Sequence, residues 1–334
     1  MTEQTQAKYH HLIPQTYMSA WSNESGTLNV EFLNAPDRIV QRNKENIAGI
    51  KDFHSITVGM PVCTKEDASK IFSVLSDYCV KINGAEINDP ILMNKNYYDF
   101  DNWIIYRKDG SLANKKALKH QIEKVKIKDI ETNWSNKYEN RWNSVVEEIE
   151  NRVLKTNKDS IPAFDKEFLM KFFIALNWRG FKSNEQFEKI LELFTRGVLD
   201  QVSIPFKERE LPSLKTAGDE IRHDLLLNLY RQFLNDTGTI YKSVELNLKH
   251  TGFHFLISDG PTFFDTSDSP SFVFKRTDGT LQGIMPITPR ILLAQGRCVD
   301  TSDVYYISHI KDDAVRKYNN IIRENASSFI IHKI

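Results

Sequence analysis

The spacing at which hydrophobic residues recur changes twice along this chain, and these changes limit the folds that the chain can adopt. Near the N-terminus, Leu28, Val30 and Phe32 alternate with polar residues, which is typical of a half-buried strand. From Trp134 onward, apolar side chains recur every three or four residues, as they do in amphipathic helices. After about residue 240, alternation and short apolar runs return. The order β, then α, then β favours an α+β fold over a parallel doubly wound sheet.

Four amphipathic helices are predicted in succession through the centre of the chain. They begin near Trp134, at the N-cap residue Asp165, at the capping box from Ser183 to Gln186, and at Asp219. Short polar joints separate them, which favours a helical layer or subdomain. An earlier run from Lys65 to Lys81 also has helical spacing.

The last third of the chain predicts paired strands and a closing helix. Residues 241–249 alternate and lead into the apolar run 253–258, which together suggest a hairpin. A second hairpin is expected around Asp278-Gly279, and residues 313–331 have the pattern of an amphipathic helix.

These elements predict a single integrated domain over residues 1–334. We expect a mixed or antiparallel sheet built from the N- and C-terminal strands. Residues 156–236 would form a helical layer packed on that sheet, and residues 65–155 a helical insertion. An apolar fraction of 40% in 334 residues is ample for a sizeable core.

Charge and cysteine content exclude several classes of protein. Lysine and arginine number 44, as do aspartate and glutamate, so no long-range field steers the whole molecule onto nucleic acid or anionic lipid. The three cysteines are far apart and form no C-x-x-C pair, which fits a reducing compartment. No signal peptide core or membrane-length apolar run is present. We therefore expect a cytoplasmic protein with no membrane contact, for which a protein partner or a homo-oligomer is compatible with the composition.

The N-terminal segment "KYHHLIPQTYMSAWS", residues 8–22, is too rich in aromatic residues and histidine for a frayed end. We therefore predict that this segment is docked on the rest of the protein. His10 and His11 are neighbours, and neighbouring side chains in an extended segment point to opposite sides. At most one of them can face a given pocket.

The segment "HFLISDGPTFF", residues 254–264, is the strongest local sign of a site. An apolar strand runs directly into Asp259, and the following glycine and proline define the turn, which is how many sites present a carboxylate at the edge of a sheet. An Asx turn, in which Asp259 only bonds its own backbone, is the structural alternative.

Arg179 lies at the end of the apolar face that Phe168 begins. A buried guanidinium requires a partner, and Asp259 is a candidate. Such a pair can serve a site or can simply join the helical layer to the sheet.

Motifs of several enzyme classes are absent from the sequence. There is no G-x-S-x-G, P-loop or G-x-G-x-x-G, which argues against a serine α/β hydrolase, a P-loop NTPase and a Rossmann dehydrogenase. His250 and His254 are four residues apart, but the intervening "TGF" disfavours a helix that would place them on one face. No motif predicts a cofactor or a metal site.

Residues 107–128 are the most basic stretch, with eight lysines and arginines. They could contact a nucleic acid or nucleotide, in which case binding would depend strongly on salt. The alternative is a solvated helix face, because Leu118, Ile122 and Val125 form a narrow apolar stripe. No aromatic ladder accompanies the charges.

Several short motifs together resemble a known bacterial family of proteins, the domain-of-unknown-function family 4238 (DUF4238). They are "HHLIPQTYMSAWS", "ALNWRGF", "FLISDGP", "MPITPRILLA" and "YNNIIRENASSFII". The resemblance spans nearly the whole chain and implies one integrated unit. It implies that the positions to test are His10, His11, Pro14, Arg179, Ser258, Asp259 and Pro261. This chain has Gly260 where the family often has asparagine.

Our leading hypothesis is an enzyme in which His10 or His11, Arg179 and Asp259 converge. Histidine would act as general acid or base, aspartate would orient it, and arginine would hold a phosphate or carboxylate. The reaction would be hydrolysis or transfer at a nucleotide or nucleic-acid phosphate, and by analogy the protein would serve in phage defence or a toxin system. The rival is a binding or interaction module without catalysis, in which the same residues clamp the N-terminus to the sheet.

Overall fold

The structure is a computed structural model that describes residues 9–180, 182, 198–297 and 303–333. Two compact units share the chain. Unit 1 comprises Met1–Lys51, Asn133–Phe194 and Gln232–Ile334, and unit 2 comprises Asp52–Thr132 and Thr195–Arg231. The expectation of a single integrated domain remains a prediction.

Helices and strands both occur along the described chain. The helices are α1 (Gln15–Met18), α2 (Lys65–Ile71), α3 (Pro90–Lys95), α4 (Lys115–Lys124), α5 (Asp129–Trp134), α6 (Asn140–Ile149), α7 (Lys166–Arg179), α8 (Ala217–Leu234), α9 (Gly238–His250) and α10 (Asp312–Asn325). Single turns of 3-10 helix cover Lys44–Asn46, Phe72–Leu75, Tyr97–Asn102 and Leu199–Gln201, and π-helical turns cover Ser135–Glu139 and Glu150–Leu154. The strands are β1 (Tyr9–His11), β2 (Thr27–Phe32), β3 (Ile39–Asn43), β4 (Gly49–Lys51), β5 (Tyr78–Ile82), β6 (Ala85–Glu86), β7 (Ile104–Arg107), β8 (Ser160–Pro162), β9 (Thr251–Ser258), β10 (Thr266–Ser267), β11 (Phe272–Lys275), β12 (Leu281–Thr288), β13 (Ile291–Arg297), β14 (Val304–Ile310) and β15 (Phe329–His332).

Unit 1 confirms the predicted α+β class. Its four-stranded antiparallel sheet has the order β10-β15-β2-β3 and so combines strands from the two ends of the chain, as predicted. A six-stranded mixed sheet has the order β11-β12-β13-β9-β14-β8, in which β9 and β14 are parallel. A short pair, β1 with β4, holds the N-terminal segment.

Stacked aromatic rings fill the helical core of unit 1. The rings of Trp142 and Phe172 are stacked with their centroids 4.0 Å apart, and Tyr138 stacks on Phe233 with a centroid distance of 5.9 Å. These side chains come from the faces that the sequence predicted to be apolar, and all four are buried. Aromatic pairs of this kind contribute about 0.5–1.5 kcal/mol beyond the burial of their surface.

A second core lies between the six-stranded sheet and α10. Leu256, Leu292 and Ile284 of the sheet are buried together with Val315 and Ile322 of the helix. Val315 and Ile322 are seven residues apart, two turns of one helical face. This packing places the start of α10 beside the ends of β9 and β14.

Unit 2 contains a small antiparallel sheet of order β6-β5-β7 together with α2, α3 and α4. The hairpin from β5 to β6 turns at Asn83-Gly84, where both residues have positive φ, as a type I′ turn requires. The expected helix from Lys65 to Lys81 therefore ends early, because β5 begins at Tyr78. The stretch predicted to be a helical insertion thus also contains a sheet.

The strand expected at residues 241–249 was wrong, because α9 covers them. Ile240 and Val244, one helical turn apart, are buried, whereas Leu246 is 59% exposed. Three alternating apolar residues also fit helical spacing when Ile240 is included, so the short pattern was ambiguous. The hairpin with β9 is replaced by pairing of β9 with β13 and β14.

The remaining expectations are confirmed at least in part or lie outside the described residues. The hairpin at Asp278-Gly279 forms between β11 and β12. The closing helix is α10, but it ends at Asn325, and the last residues of the predicted helix belong instead to β15, which pairs with β2. The helix predicted to begin at Ser183 falls in 183–197, which the structure does not describe. Among the described helices, none is long and apolar enough to cross a membrane.

Candidate functional site

The two N-terminal histidines lie in β1 and differ in exposure. His10 pairs with Ile50 of β4 and is fully buried, whereas His11, opposite Gly49, is partly exposed. Successive strand residues point to opposite sides, which explains the difference. As the sequence predicted, the two side chains do not share one environment.

Arg179 holds the N-terminal segment by its backbone. Its Nη2 donates a hydrogen bond to the carbonyl oxygen of His11 at 2.6 Å, and its guanidinium carbon lies 4.3 Å from the centre of a Trp134 ring. Arg179 is 3% exposed, which confirms the predicted burial. A hydrogen bond to a carbonyl and an aromatic face together stabilise a desolvated guanidinium.

Further contacts dock the same segment on the strands of unit 1. The Tyr17 hydroxyl donates to the carbonyl of Pro286 at 2.7 Å and lies 2.9 Å from Thr266 Oγ1. Burial raises the pKa of Tyr17 well above its ordinary value. The indole nitrogen of Trp21 donates to the carbonyl of Phe264 at 2.9 Å, and Pro14 begins α1 as its N-cap residue. The docking predicted from the sequence is thus confirmed.

The turn after β9 uses Ser258 as a structural residue. Ser258 is 3% exposed, and its hydroxyl donates to the carbonyl of Thr262 at 2.5 Å. Arg290 donates to the carbonyls of Ser258 and Gly260 and stacks on Phe263 at 4.3 Å. With Pro261 between these bonds, the turn is held from both sides.

Asp259 projects from this turn and pairs with a histidine that the sequence analysis did not single out. Its Oδ1 lies 2.6 Å from Nδ1 of His309, and the two side chains are 53% and 49% exposed. The pairing arises because β9 and β14 are parallel neighbours, with His309 beside Ile257 in register. The carboxylate therefore binds a side chain. The Asx-turn alternative required it to bind the backbone two residues further along the chain instead. In the described part of the chain, no hydrogen bond joins Asp259 to Arg179.

The carboxylate sets the tautomer of the His309 ring. A neutral imidazole that donates its Nδ1 proton to Asp259 carries its lone pair on Nε2. With half of the ring exposed, this nitrogen can take a proton from a bound water or give one to a leaving group. The pair therefore has the geometry of a general acid–base unit.

Asp312, at the start of α10, explains why position 260 carries glycine. Asp312 Oδ1 accepts a hydrogen bond from the Thr262 backbone at 3.0 Å. Hydrogen bonds from Thr262 hold the pKa of Asp312 below its usual value. A Cβ at Gly260 would lie 2.1 Å from that same oxygen. A side chain at position 260 would displace the carboxylate.

Three cations and two further carboxylates lie near the turn. Arg290 is held by carbonyls, and Arg316 of α10 is 60% exposed, with its Nη2 3.0 Å from Asp313. Lys311 precedes Asp312 and follows Ile310, whose carbonyl binds the Asp259 backbone, and it is exposed. Asp312 and Asp313 balance two of these three positive charges, so the rim around the Asp259–His309 pair carries a small positive excess.

A local signal for His309 existed in the sequence. Tyr305 and Ile307 alternate as buried strand residues, and His309 follows them in the same alternation at the strand end. The position is equivalent to that of Asp259, which ends an apolar strand before a turn. What the sequence lacked was the information that these two strands are neighbours.

Three of the eight basic side chains in the stretch 107–128 are paired with carboxylates of unit 2. Lys108 pairs with Asp77, Lys119 with Asp101 and Lys126 with Asp52. The final pair, at 2.5 Å, is the least exposed of the three. Leu118 and Ile122 of α4 are buried, as the apolar stripe predicted. These contacts favour the solvated helix face.

His250 and His254 lie on different elements, at the end of α9 and within β9. His254 Nε2 is 2.8 Å from the Ser308 hydroxyl, and burial lowers the pKa of His254. The helical spacing that a shared metal site would need is therefore absent from this pair.

Comparison with known proteins gives one match. No curated protein and no solved structure matches the chain. A family model described as "Protein of unknown function (DUF4238)" matches residues 9–334, nearly the whole chain. The motifs that carry the resemblance therefore lie within one continuous match, and the chain belongs to the DUF4238 family.

Proposed function

We propose that this protein is a hydrolase of phosphodiester bonds, in which His309 is the general acid–base residue and Asp259 orients it. The observation that carries the proposal is the 2.6 Å contact between the two side chains at the ends of adjacent parallel strands. Catalytic residues commonly lie at such strand ends, where a rigid sheet positions an exposed group.

The tautomer of the His309 ring determines the proton transfers of the reaction. Nε2 of His309 accepts a proton from a water molecule, whose oxygen attacks phosphorus and forms a new P–O bond. The ester P–O bond breaks, and the leaving oxygen takes up a proton, so the products are a phosphomonoester and an alcohol. Asp259 stabilises the imidazolium that exists between the two proton transfers.

The small positive excess at the rim favours a phosphodiester over a phosphomonoester. A diester linkage carries one negative charge, whereas a monoester carries about −1.5 to −2 at neutral pH. Arg316 and Lys311 are exposed cations near the turn, and Arg290 is engaged by carbonyls. Because Asp313 pairs with Arg316, this limited positive charge suits a singly charged linkage such as that of a nucleic acid or a cyclic nucleotide.

The test compares His309→Gln and Asp259→Asn with His250→Gln, which changes an exposed histidine of the same unit. Substrates are bis(p-nitrophenyl) phosphate, single-stranded RNA and DNA, and cyclic nucleotides. We expect His309→Gln to lower kcat by about 10²–10⁴-fold and Asp259→Asn by less, with thermal midpoints within a few degrees of wild type. Wild-type rates in His309→Gln, or no cleavage of any substrate by the wild-type protein, would sink the proposal.

The second candidate is a binding or interaction module without catalysis. It is favoured by Arg179, whose buried guanidinium serves as a clamp on the His11 carbonyl. Under this alternative, Asp259→Asn would lower the thermal midpoint and no phosphodiester would be cleaved. The two candidates therefore differ in both readouts.

The cellular role that we propose is a cytoplasmic effector in phage defence or a toxin system. The support is the family resemblance and the proposed cleavage of phosphodiesters. Expression of the wild-type protein should slow the growth of bacterial cells or protect them from phage, and His309→Gln should not. Equal effects of both proteins would argue against an enzymatic role in the cell.

A further inference from the structure

Unit 1 contains a cavity of about 460 Å³ that the proposed hydrolysis does not use. It lies where the π-helical turn before α6 meets the N-terminal end of α7 and the chain just after α8. Its nine described lining residues include four cations and three carboxylates, so the lining carries a positive excess. Binding sites for small organic molecules commonly have volumes of about 300–1,000 Å³, and this cavity lies within that range.

Tyr138 brings to this cavity a hydroxyl without a hydrogen-bond partner among the described residues. The residue is 3% exposed, and its ring stacks on Phe233. Burial raises the pKa of Tyr138, and the charges of Asp236 and Glu167, two carboxylates that line the cavity, raise it further. The phenol is therefore protonated and lies near the cavity's carboxylates. A buried hydroxyl normally has a partner, so this O–H is available to donate to a ligand.

The N-terminal end of α7 borders the cavity without a side-chain cap. Asp165 is the N-cap residue, but its carboxylate makes no capping hydrogen bond and binds Arg141 at 2.5 Å instead. The first amides of the helix, which include those of Glu167 and Phe168, have no acceptor within the helix itself. Such amides, together with the helix dipole, favour an anion such as a phosphate.

Two cations beside this helix end can bind an anion. Lys137 and Arg141 are four residues apart, on one side of the helix formed by the π-helical turn and α6. Lys137 Nζ donates to the carbonyl oxygen of Leu234 and forms no ion pair with a described carboxylate. The guanidinium carbon of Arg141 lies 4.7 Å from the centre of the Phe168 ring, and Nη2 is the atom that binds Asp165. The other guanidinium donors can therefore bind phosphate oxygens.

The remaining carboxylates of the cavity are bound by one lysine. Lys171 Nζ lies 2.7 Å from Glu167 and 3.0 Å from Asp236. The two carboxylate side chains are 63% and 48% exposed, so they can also accept hydrogen bonds from hydroxyl or amino groups of a ligand. The cavity thus offers cations for an anionic group and, near Tyr138, acceptors for an organic group that carries donors.

We propose that this cavity binds a small phosphomonoester whose organic group carries hydroxyl or amino donors, a nucleoside monophosphate or a sugar phosphate. The phosphate binds Arg141, Lys137 and the first amides of α7, and the Tyr138 hydroxyl donates to the ligand. A phosphomonoester carries a charge of about −1.5 to −2 at neutral pH, which suits a cationic lining at a helix N-terminus. Inorganic phosphate alone would leave most of the 460 Å³ unfilled.

The test is calorimetric titration of the full chain with adenosine 5′-monophosphate and with ribose 5-phosphate, and with adenosine as the control without phosphate. We expect saturable binding of at least one phosphomonoester and none of adenosine. Arg141→Gln should weaken binding by about 10–100-fold and Tyr138→Phe by about 3–10-fold. Arg152→Gln is the matched control and should bind as wild type, because Arg152 also pairs with a carboxylate, Glu148, and lies over a ring, Phe164, but does not line the cavity.

Folding does not confound this test. Tyr138→Phe removes a hydroxyl that has no partner in the described part of the chain, so its thermal midpoint without ligand should equal or exceed that of wild type. The bound phosphomonoester should raise the midpoint of wild type and raise that of Arg141→Gln less.

Three results would overturn the proposal. They are no saturable binding of either phosphomonoester up to about 1 mM, binding that Arg141→Gln or Tyr138→Phe leaves intact, and binding of adenosine as tight as that of its monophosphate. Neither phosphomonoester is a diester, so the outcome is independent of the hydrolysis that we assign to His309.

Discussion

Glu31 allows a quantitative prediction about the stability of unit 1. This residue of β2 is 4% exposed and accepts two hydrogen bonds from Arg323, at 2.8 and 2.5 Å. His332 Nε2 lies 3.1 Å from the same carboxylate. Hydrogen bonds from Arg323 lower the pKa of Glu31 from 4.5 to about 2. The sheet is thus tied to α10 and to β15 through one buried charge.

The pKa of Glu31 sets the magnitude. Its lowering from 4.5 to about 2 corresponds to about 3 kcal/mol of stability. Because the Arg323 side chain is 42% exposed, solvent screens part of this attraction, and we expect about 2 kcal/mol. Replacing Glu31 by Gln should therefore lower the thermal midpoint by about 4–8 °C at pH 6.

The directions of the two pKa shifts determine how the stability changes with pH. A carboxylate with a lowered pKa stabilises the fold fully above 4.5, and this stability is lost as pH falls from 4.5 towards 2. Burial lowers the pKa of His332, but hydrogen bonds with Asp265 and Glu31 outweigh it and raise the pKa overall. His332 therefore adds stability below about pH 6.5 that is lost at higher pH. The network stabilises most between these two limits.

The assay is thermal unfolding followed by circular dichroism from pH 3 to pH 7. Glu31→Gln is compared with Glu24→Gln, which changes an exposed carboxylate of the same unit. The midpoint difference between wild type and Glu31→Gln should be less than half as large at pH 3 as at pH 6. An equal difference at both pH values, or none at pH 6, would refute the reasoning.

Three further substitutions test contacts of unit 1, each by thermal unfolding. Gly260→Ala places a Cβ 2.1 Å from Asp312 Oδ1 and should lower the free energy of unfolding by about 1–2 kcal/mol. Adding Asp312→Ala to this variant should restore part of the lost stability. Arg179→Lys loses a charged hydrogen bond of 2.6 Å and should lower the free energy of unfolding by about 2 kcal/mol while phosphodiester cleavage is unchanged. A lower cleavage rate at unchanged stability would instead show that Arg179 takes part in the reaction. Tyr17→Phe leaves the buried Pro286 carbonyl without its donor and should cost about 1–3 kcal/mol, whereas a wild-type midpoint would show that water replaces the hydroxyl.

The long apolar face of α7 was predicted correctly, whereas the short alternation at residues 244–248 was not. The apolar face of α7 extends over Phe168, Phe172 and Leu176, and all three are buried. At residues 244–248 only three positions alternate, which is too few to separate a strand from a helix. Asn83-Gly84 is a strong hairpin signal, and a hairpin there requires a strand before it. The predicted helix was nevertheless continued through Tyr78, where that strand begins.

Capping and pairing depend on what lies near a residue in space. Asp165 stands at the N-cap of α7, as predicted, but its carboxylate binds Arg141 at 2.5 Å and makes no capping bond. Arg179 was predicted to be buried, and it is, and its partners include a carbonyl and an indole ring. The residue types determined that these groups would need partners, and only the packing chose which ones.

The sequence by itself determined the α+β class, the docked N-terminus, the burial of Arg179 and the emergence of Asp259 at a strand end. Each of these follows from local hydrophobic periodicity, or from the free-energy cost of burying an unpaired charge or of exposing aromatic surface to water. The tertiary structure alone decided that His309 pairs with Asp259. The reason is that β9 and β14 become parallel neighbours through a pairing of distant segments, and no local pattern in either strand specifies its neighbour.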